Sequence, residues 1–109
     1  MMEINDYQKE AVKTAIYGSG STIIYPALGL ANEAGEVLGK IKKVLRDSNG
    51  EFNEANNKGI ADEIGDTLWY LAALSRDIGY DLETIANINI KKLKDRQERG
   101  VIHGSGDTR

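Results

Sequence analysis

Two acid pairs carry the chemistry this chain most plainly offers: Glu33 with Glu36, and Glu63 with Asp66. Each pair lies inside a stretch with an apolar helical face. A step of three residues turns a helix by roughly 300° and climbs about 4.5 Å, so both carboxylates of a pair project from neighbouring positions on one side. If the two helices pack antiparallel across a short connection, hard oxygen ligands from both sides face one point. Mg²⁺ or Mn²⁺ accepts such a set while keeping waters and binding substrate phosphates. An acid pair at this spacing is also a common solvated face or half of a salt bridge, and Glu36 followed by Lys40 is the favourable order for a pair four apart. Placement argues for the metal site. At about 100° per residue, Glu63 and Asp66 flank the apolar arc of Ile60, Ile64, Leu68 and Leu71, and Glu33 borders that of Ala34, Val37, Ile41 and Val44. Partly buried carboxylates repel one another and resist ionisation, so acids placed there call for a cation.

The elements that must position these acids are helical. Tyr7, Ala11 and Ala15 recur at helical spacing behind Ile4, with Asn5 or Asp6 available as a cap, which predicts a first helix over about 3–16. Gly18 to Ser21 breaks it, and Thr22 to Tyr25 read as loop. Pro26 suits the first turn of a second helix running to about Leu45. Asp47 to Asn53 form a turn, a third helix spans Glu54 to Ile78, and Gly79 stops it. Asp81 caps a fourth helix ending near Arg99. The expected fold is all-α, a four-to-five-helix bundle holding a two-helix acidic metal site. On the fourth helix Asn89, Lys92 and Arg96 share the face of Leu82, Ile85 and Leu93, which should point inward. An inward lysine and arginine need anions, either the acid cluster or a polyphosphate held beside it.

The 109 residues, 40% of them hydrophobic, suffice for one core, so residues 1–109 are expected to form a single domain ending in a glycine-rich tail over 99–109. Seventeen acids against fourteen bases leave a formal charge of −3, which argues against nucleic-acid binding through a basic surface. There is no cysteine, which excludes disulfides and thiolate metal sites and fits a reducing cytosol. The early polar residues Glu3, Asn5 and Asp6 do not suit a signal peptide, and the most apolar segment, Leu68 to Leu74, falls far short of the about 20 residues a membrane span needs. A cytoplasmic protein with no membrane partner is expected.

With acid pairs and inward bases in place, the chain resembles the MazG-type all-α nucleoside triphosphate pyrophosphohydrolases. The similarity covers nearly the whole length: Tyr7-Gln8, the run Gly29-Leu30-Ala31-Asn32-Glu33-Ala34-Gly35-Glu36, then Asp62-Glu63-Ile64-Gly65-Asp66, and Lys92-Leu93-Lys94-Asp95-Arg96. The family's signature has a doubled glutamate, a glutamate three on, and Glu-x-x-Asp on the next helix. Asn32 stands where the first glutamate would be, a departure shared with the subgroup resembling dCTP pyrophosphatases. It leaves the four metal ligands Glu33, Glu36, Glu63 and Asp66 intact and the water-activating group open.

The resemblance implies Mg²⁺-dependent hydrolysis, with Mn²⁺ as a substitute, between the α and β phosphates of a nucleoside triphosphate, deoxynucleotides being the expected class. Clustered carboxylates would hold the cation, which neutralises phosphate oxygens and acidifies bound water. Glu36 is favoured as base. Lys92 and Arg96 would stabilise the departing pyrophosphate, with Asn89 orienting it. Trp69 and Tyr70 follow the second acid motif; aromatics there are more often core, and Tyr70, nearer the acids on the helical wheel, is the better base-stacking candidate. The resemblance further implies a homodimer or homotetramer and a tail folded over a site, including a neighbour's. His103 has no local partners that would make it a metal ligand. A carboxylate-bridged di-iron bundle would need Glu-x-x-His on two helices, which is absent here. The alternative from another class is a non-catalytic helical metal-binding or protein-interaction module.

Overall fold

The computed structural model describes residues 1–109. It contains α1 (Ile4–Val12), a 3₁₀ turn (Ser19–Ser21), α2 (Ile24–Asp47), α3 (Glu54–Asp77) and α4 (Leu82–Glu98), with no strand. The all-α expectation holds. α2 and α3, 24 residues each, form an antiparallel hairpin whose register is fixed by facing pairs: Gly29 meets the Tyr70 ring and Gly59 meets Lys40. Pro26 falls in the first turn of α2, where a missing N–H costs nothing, and is fully buried.

Local chemistry sets the helix ends. Asn53 caps α3 by accepting the Asn56 N–H at 2.8 Å, and Asp81 caps α4 by accepting that of Thr84 at 2.7 Å. Gly79, at φ 88, closes α3 with a left-handed turn in which Tyr80 N–H reaches the Ser75 carbonyl at 2.9 Å. α1 differs from its sequence reading. It ends at Val12, and neither Asn5 nor Asp6 caps it. Asn5 instead serves α4: its Oδ1 accepts the Glu83 N–H at 2.9 Å. Gln8, buried, accepts the Leu82 N–H and donates to the carbonyls of Ala72 and Tyr80. α1 thus joins α3 to α4. Thr22 precedes α2 as expected of a loop, but Ile24 and Tyr25 already belong to the helix.

The core is small. Ala11, Ala72 and Leu82 form it, with Tyr7 and Trp69 packed against it, and only nine residues are buried. The inner face of α2 runs through half-buried Val37 and Ile41 to buried Val44, whereas Ala34 is exposed. On α3 the buried positions are Ala72, Ala73 and Ser75, while Ile64 and Leu71 of the predicted arc lie exposed. α4 packs chiefly on α1. Its predicted inward face is therefore only partly realised: Leu82 is buried and Ile85 half-buried, but Asn89 and Leu93 are exposed. No helix is long and apolar enough to cross a membrane.

Candidate metal centre

Antiparallel pairing of α2 and α3 brings Glu33, Glu63 and Asp66 together, with one carboxylate oxygen from each within 4.8 Å of the others. Glu33 and Glu63 are half-buried and Asp66 is exposed. Glu36 does not join this trio and is exposed; three residues past Glu33, it lies about 60° round the helix. Partial burial, then the charges of Asp66, Glu63 and Glu36, push the Glu33 carboxyl above the ordinary range. The donors are all hard carboxylate oxygens, which suits Mg²⁺ or Mn²⁺ and not a soft metal.

One lysine does approach. Lys40 Nζ lies 3.9 Å from Glu63 Oε1, crossing from α2 to α3 beside Gly59. The helical order suggested Glu36 as its partner; the fold gives Glu63. Its position seven residues after Glu33, on the same face, was the available signal. Tyr7, which the sequence pattern placed on the first helix but not beside the acids, is a second neighbour. Burial and then the Asp66 charge raise its hydroxyl pKa, which places α1 beside the acids.

A cleft of about 370 Å³ opens here, lined by Glu33, Asp66, Trp69 and Tyr70. Trp69 is anchored: its indole N–H donates to the Ala11 carbonyl at 3.1 Å and to Thr14 Oγ1 at 2.7 Å. Tyr70 lies on the backbone of α2 at Gly29, where a β-carbon would overlap its ring. Desolvation, then Tyr25, then Glu33 and Asp66 raise the Tyr70 hydroxyl pKa. A wider cavity of about 480 Å³ lies at the junction of α1 with the α3–α4 turn. The Asn5 and Gln8 amides lining it are committed to the helix ends described above, so it offers no comparable convergence of free groups.

The bases of α4 lie elsewhere in the single chain. Arg96 is buried beneath the tail, donating to the Asp107 carbonyl at 2.7 Å and the Gly106 carbonyl at 3.4 Å. Lys92 and Arg96 each sit 3.9 Å from the Asp107 carboxylate. The tail is folded back by Arg109, which donates to the carbonyls of Val101, Gly106 and Ile102. His103 is exposed and stands outside the acidic cluster.

An antiparallel helical hairpin that gathers three carboxylates beside a cleft sets the chain among all-α proteins whose acids could hold a hard divalent cation. Residues 24–101 match the family model of the MazG nucleotide pyrophosphohydrolase domain, and the chain belongs to that family. It is also 41% identical over 114 residues to the Gene 37 protein of Mycobacterium phage L5, an alignment covering 99% of this chain and all of the relative. No solved structure matches.

Proposed function

We propose that this protein hydrolyses nucleoside triphosphates to the monophosphate and pyrophosphate in a Mg²⁺-dependent reaction, with deoxynucleotides as the favoured class. The observation that carries the reading is the trio of Glu33, Glu63 and Asp66 oxygens within 4.8 Å, in a chain of a nucleotide pyrophosphohydrolase family. These three would hold the cation, with Glu36 as a fourth ligand or as the base that takes the proton from the attacking water. When bound, the cation supplies screening of phosphate charge and acidification of water. Tyr70 offers its ring to the nucleobase at the cleft rim. Lys92 and Arg96, with Asn89, are assigned to the phosphates that depart when the bond between the α and β phosphates breaks. Nucleotides place its action in the cytoplasm.

We further propose that the working unit is a homodimer or homotetramer. The radius of gyration is 16.9 Å, against about 13 Å for a compact chain of this length. The accessible surface is 7861 Å², where a monomer of this mass exposes about 6000 Å². The excess, about 1,900 Å² per chain, is above the about 800 Å² per partner of a standard interface and within the range that obligate oligomers bury. Ile24, Leu28, Ala31, Gly35 and Leu38 follow one three-four repeat along α2, which Leu45 resumes seven residues on past Lys42, and all are exposed, as are Ile64 and Leu71 on α3 and Ile78 at its end, at seven-residue steps. A second copy would cover these stripes and is the natural source of bases for the acid cleft.

Pyrophosphate release from a panel of ribo- and deoxynucleoside triphosphates, with Mg²⁺ and with a chelator, tests the reading. Release confined to the metal-containing reactions is expected; no release from any of them overturns it.

A further inference from the structure

The chain enters α2 through a backbone conformation that an isoleucine adopts only under constraint. Ile23 has φ 71 and ψ −52, the geometry of a rare, strained γ-turn, in which a β-branched residue at positive φ is an outlier. The turn is closed locally by the Ile24 N–H donating to the Thr22 carbonyl at 2.8 Å, and Asp77, the last residue of α3, holds it from across the fold. Its side chain is 4% exposed, and its Oδ2 accepts both the Ile23 N–H and the Tyr17 hydroxyl, each at 2.9 Å. Its Oδ1 accepts two bonds from Arg76, at 3.2 and 3.1 Å. Arg76 in turn donates to the Tyr17 hydroxyl at 3.0 Å and lies 5.9 Å from that ring's centre.

What this clasp fixes is a row of aromatic rings. Tyr17 stacks on Tyr25 with centroids 4.9 Å apart and planes at 23°. Tyr25 lies 6.3 Å from Tyr70, and Tyr70 meets Trp69 edge-on at 4.9 Å. The last two rings line the cleft with Glu33 and Asp66. The turn at Ile23 sets Tyr25, two residues on, between Tyr17 and Tyr70. A backbone held in a disfavoured well by a buried carboxylate implies a gain elsewhere, and the element that gains is the wall of the cleft.

We infer that Asp77 is a positioning residue which, by holding Ile23 and Tyr17, seats Tyr25 behind Tyr70 and so sets the wall that receives a planar nucleobase. The inference rests on the nucleotide reading above, but it concerns the base and not the phosphates. A ligand with a base should therefore sense Asp77, and one with phosphates alone should not.

Trp69 is the only tryptophan in the chain, so its fluorescence reports ligand binding at the cleft independently of turnover. Titrating the full-length wild type, Asp77→Asn and Asp77→Asn/Ile23→Gly with a deoxynucleoside monophosphate and with inorganic tripolyphosphate, each with Mg²⁺, makes the test. Asp77→Asn should weaken the monophosphate about tenfold, the worth of one well-placed aromatic contact, and leave tripolyphosphate within about twofold, too small a change for such a contact. Ile23→Gly should restore most of the loss, because glycine adopts that φ unaided. Should Asp77→Asn not fold, Tyr17→Phe, which removes one hydroxyl from the clasp, carries the same comparison. Equal weakening of both ligands, unchanged monophosphate binding, or no rescue by glycine each overturns the inference. Pyrophosphate release is assayed in parallel: a wild type that binds as described but releases none removes the activity reading and leaves the positioning role standing.

Discussion

Lys40 on α2 reaches Glu63 on α3, with Nζ 3.9 Å from Oε1, and so gives the three clustered acids a nearby positive charge from within the chain. The lysine is partly exposed, so the pair contributes at most about 1 kcal/mol. Lys40→Met should lower the metal-free melting temperature by no more than a few degrees, about what that energy corresponds to in a domain of this size. It should also enlarge the stabilisation that Mg²⁺ brings, because the acids are left more strongly repelling one another. Thermal melts with and without Mg²⁺ on both proteins check this, and an unchanged or smaller Mg²⁺ effect in the variant counts against it.

Removing an acid should act in the opposite sense. In Glu33→Gln or Asp66→Asn, one of three mutually repelling carboxylates disappears, so the metal-free protein should be as stable as the wild type or more so. The Mg²⁺-induced rise in melting temperature should shrink, and pyrophosphate release should fall by at least about 100-fold, the scale of losing a group that supports transition-state charge. Glu36→Gln separates its two proposed roles. As a ligand it diminishes the Mg²⁺ shift, whereas as a base it spares that shift and depresses turnover alone.

Asp77 gives a stability signature in acid. Burial alone would raise its pKa, but hydrogen bonds from Ile23, Tyr17 and Arg76 outweigh that and hold the carboxyl below its ordinary value of 3.8. A lowered folded pKa contributes stability that is fully present above the unfolded value and is lost as the pH falls from there through the folded one. Urea melts should therefore lose stability below about pH 4, where unfolded carboxylates take up protons. Asp77→Asn should be less stable at neutral pH and lose less over the same acid range. A variant with the wild-type acid profile would show that the loss arises at other carboxylates.

Much of this was legible in the sequence, for physical reasons that can be named. The start of α3, its end and the start of α4 follow from Asn53, Gly79 and Asp81, whose turn and cap chemistry is local. Glu33, Glu63 and Asp66 meet as spacing on each helix and antiparallel pairing led one to expect, whereas Glu36, which the same spacing placed with them, stands outside the trio. Partner choice across the hairpin was only half legible: the seven-residue step from Glu33 puts Lys40 on the acids' face, but local helical order favours Glu36 and only the pairing of α2 with α3 brings Glu63 to it. Nor was the early end of α1, where Tyr17 is held by Asp77, 60 residues on. The predicted burial of Ile64, Leu71 and Leu93 assumed that one chain encloses its own core, and the structure leaves all three exposed.

Those exposed residues define the oligomer test. Leu38 on α2 and Leu71 on α3 are exposed and lie outside the acid trio, so Leu38→Glu with Leu71→Glu should leave the single-chain fold intact. A buried charge pair without partners is strongly unfavourable at an apolar interface. Light scattering should give a dimer or tetramer for the wild type and a monomer for the double variant at micromolar concentration. A wild-type monomer refutes the assembly.

The α4 bases pose the sharpest choice between structure and catalysis. Arg96 is buried and donates to two tail carbonyls, so Arg96→Ala will cost stability whatever its role in the reaction. Lys92 shares the Asp107 carboxylate with it but is 40% exposed, and a half-exposed pair at 3.9 Å contributes little. Lys92→Met is therefore the cleaner probe. If Lys92 meets the phosphates that leave, its loss removes a contact made mainly in the transition state, worth roughly 2 to 4 kcal/mol or about 30-fold to 1000-fold in rate. kcat/KM on a triphosphate should fall by that factor, the melting temperature should hold within a few degrees, and affinity for the monophosphate product should barely change. Arg96→Ala should show the same kinetic loss together with a lower melting temperature. Equal losses for triphosphate and monophosphate in Lys92→Met, or wild-type kinetics, would confine both bases to holding the tail.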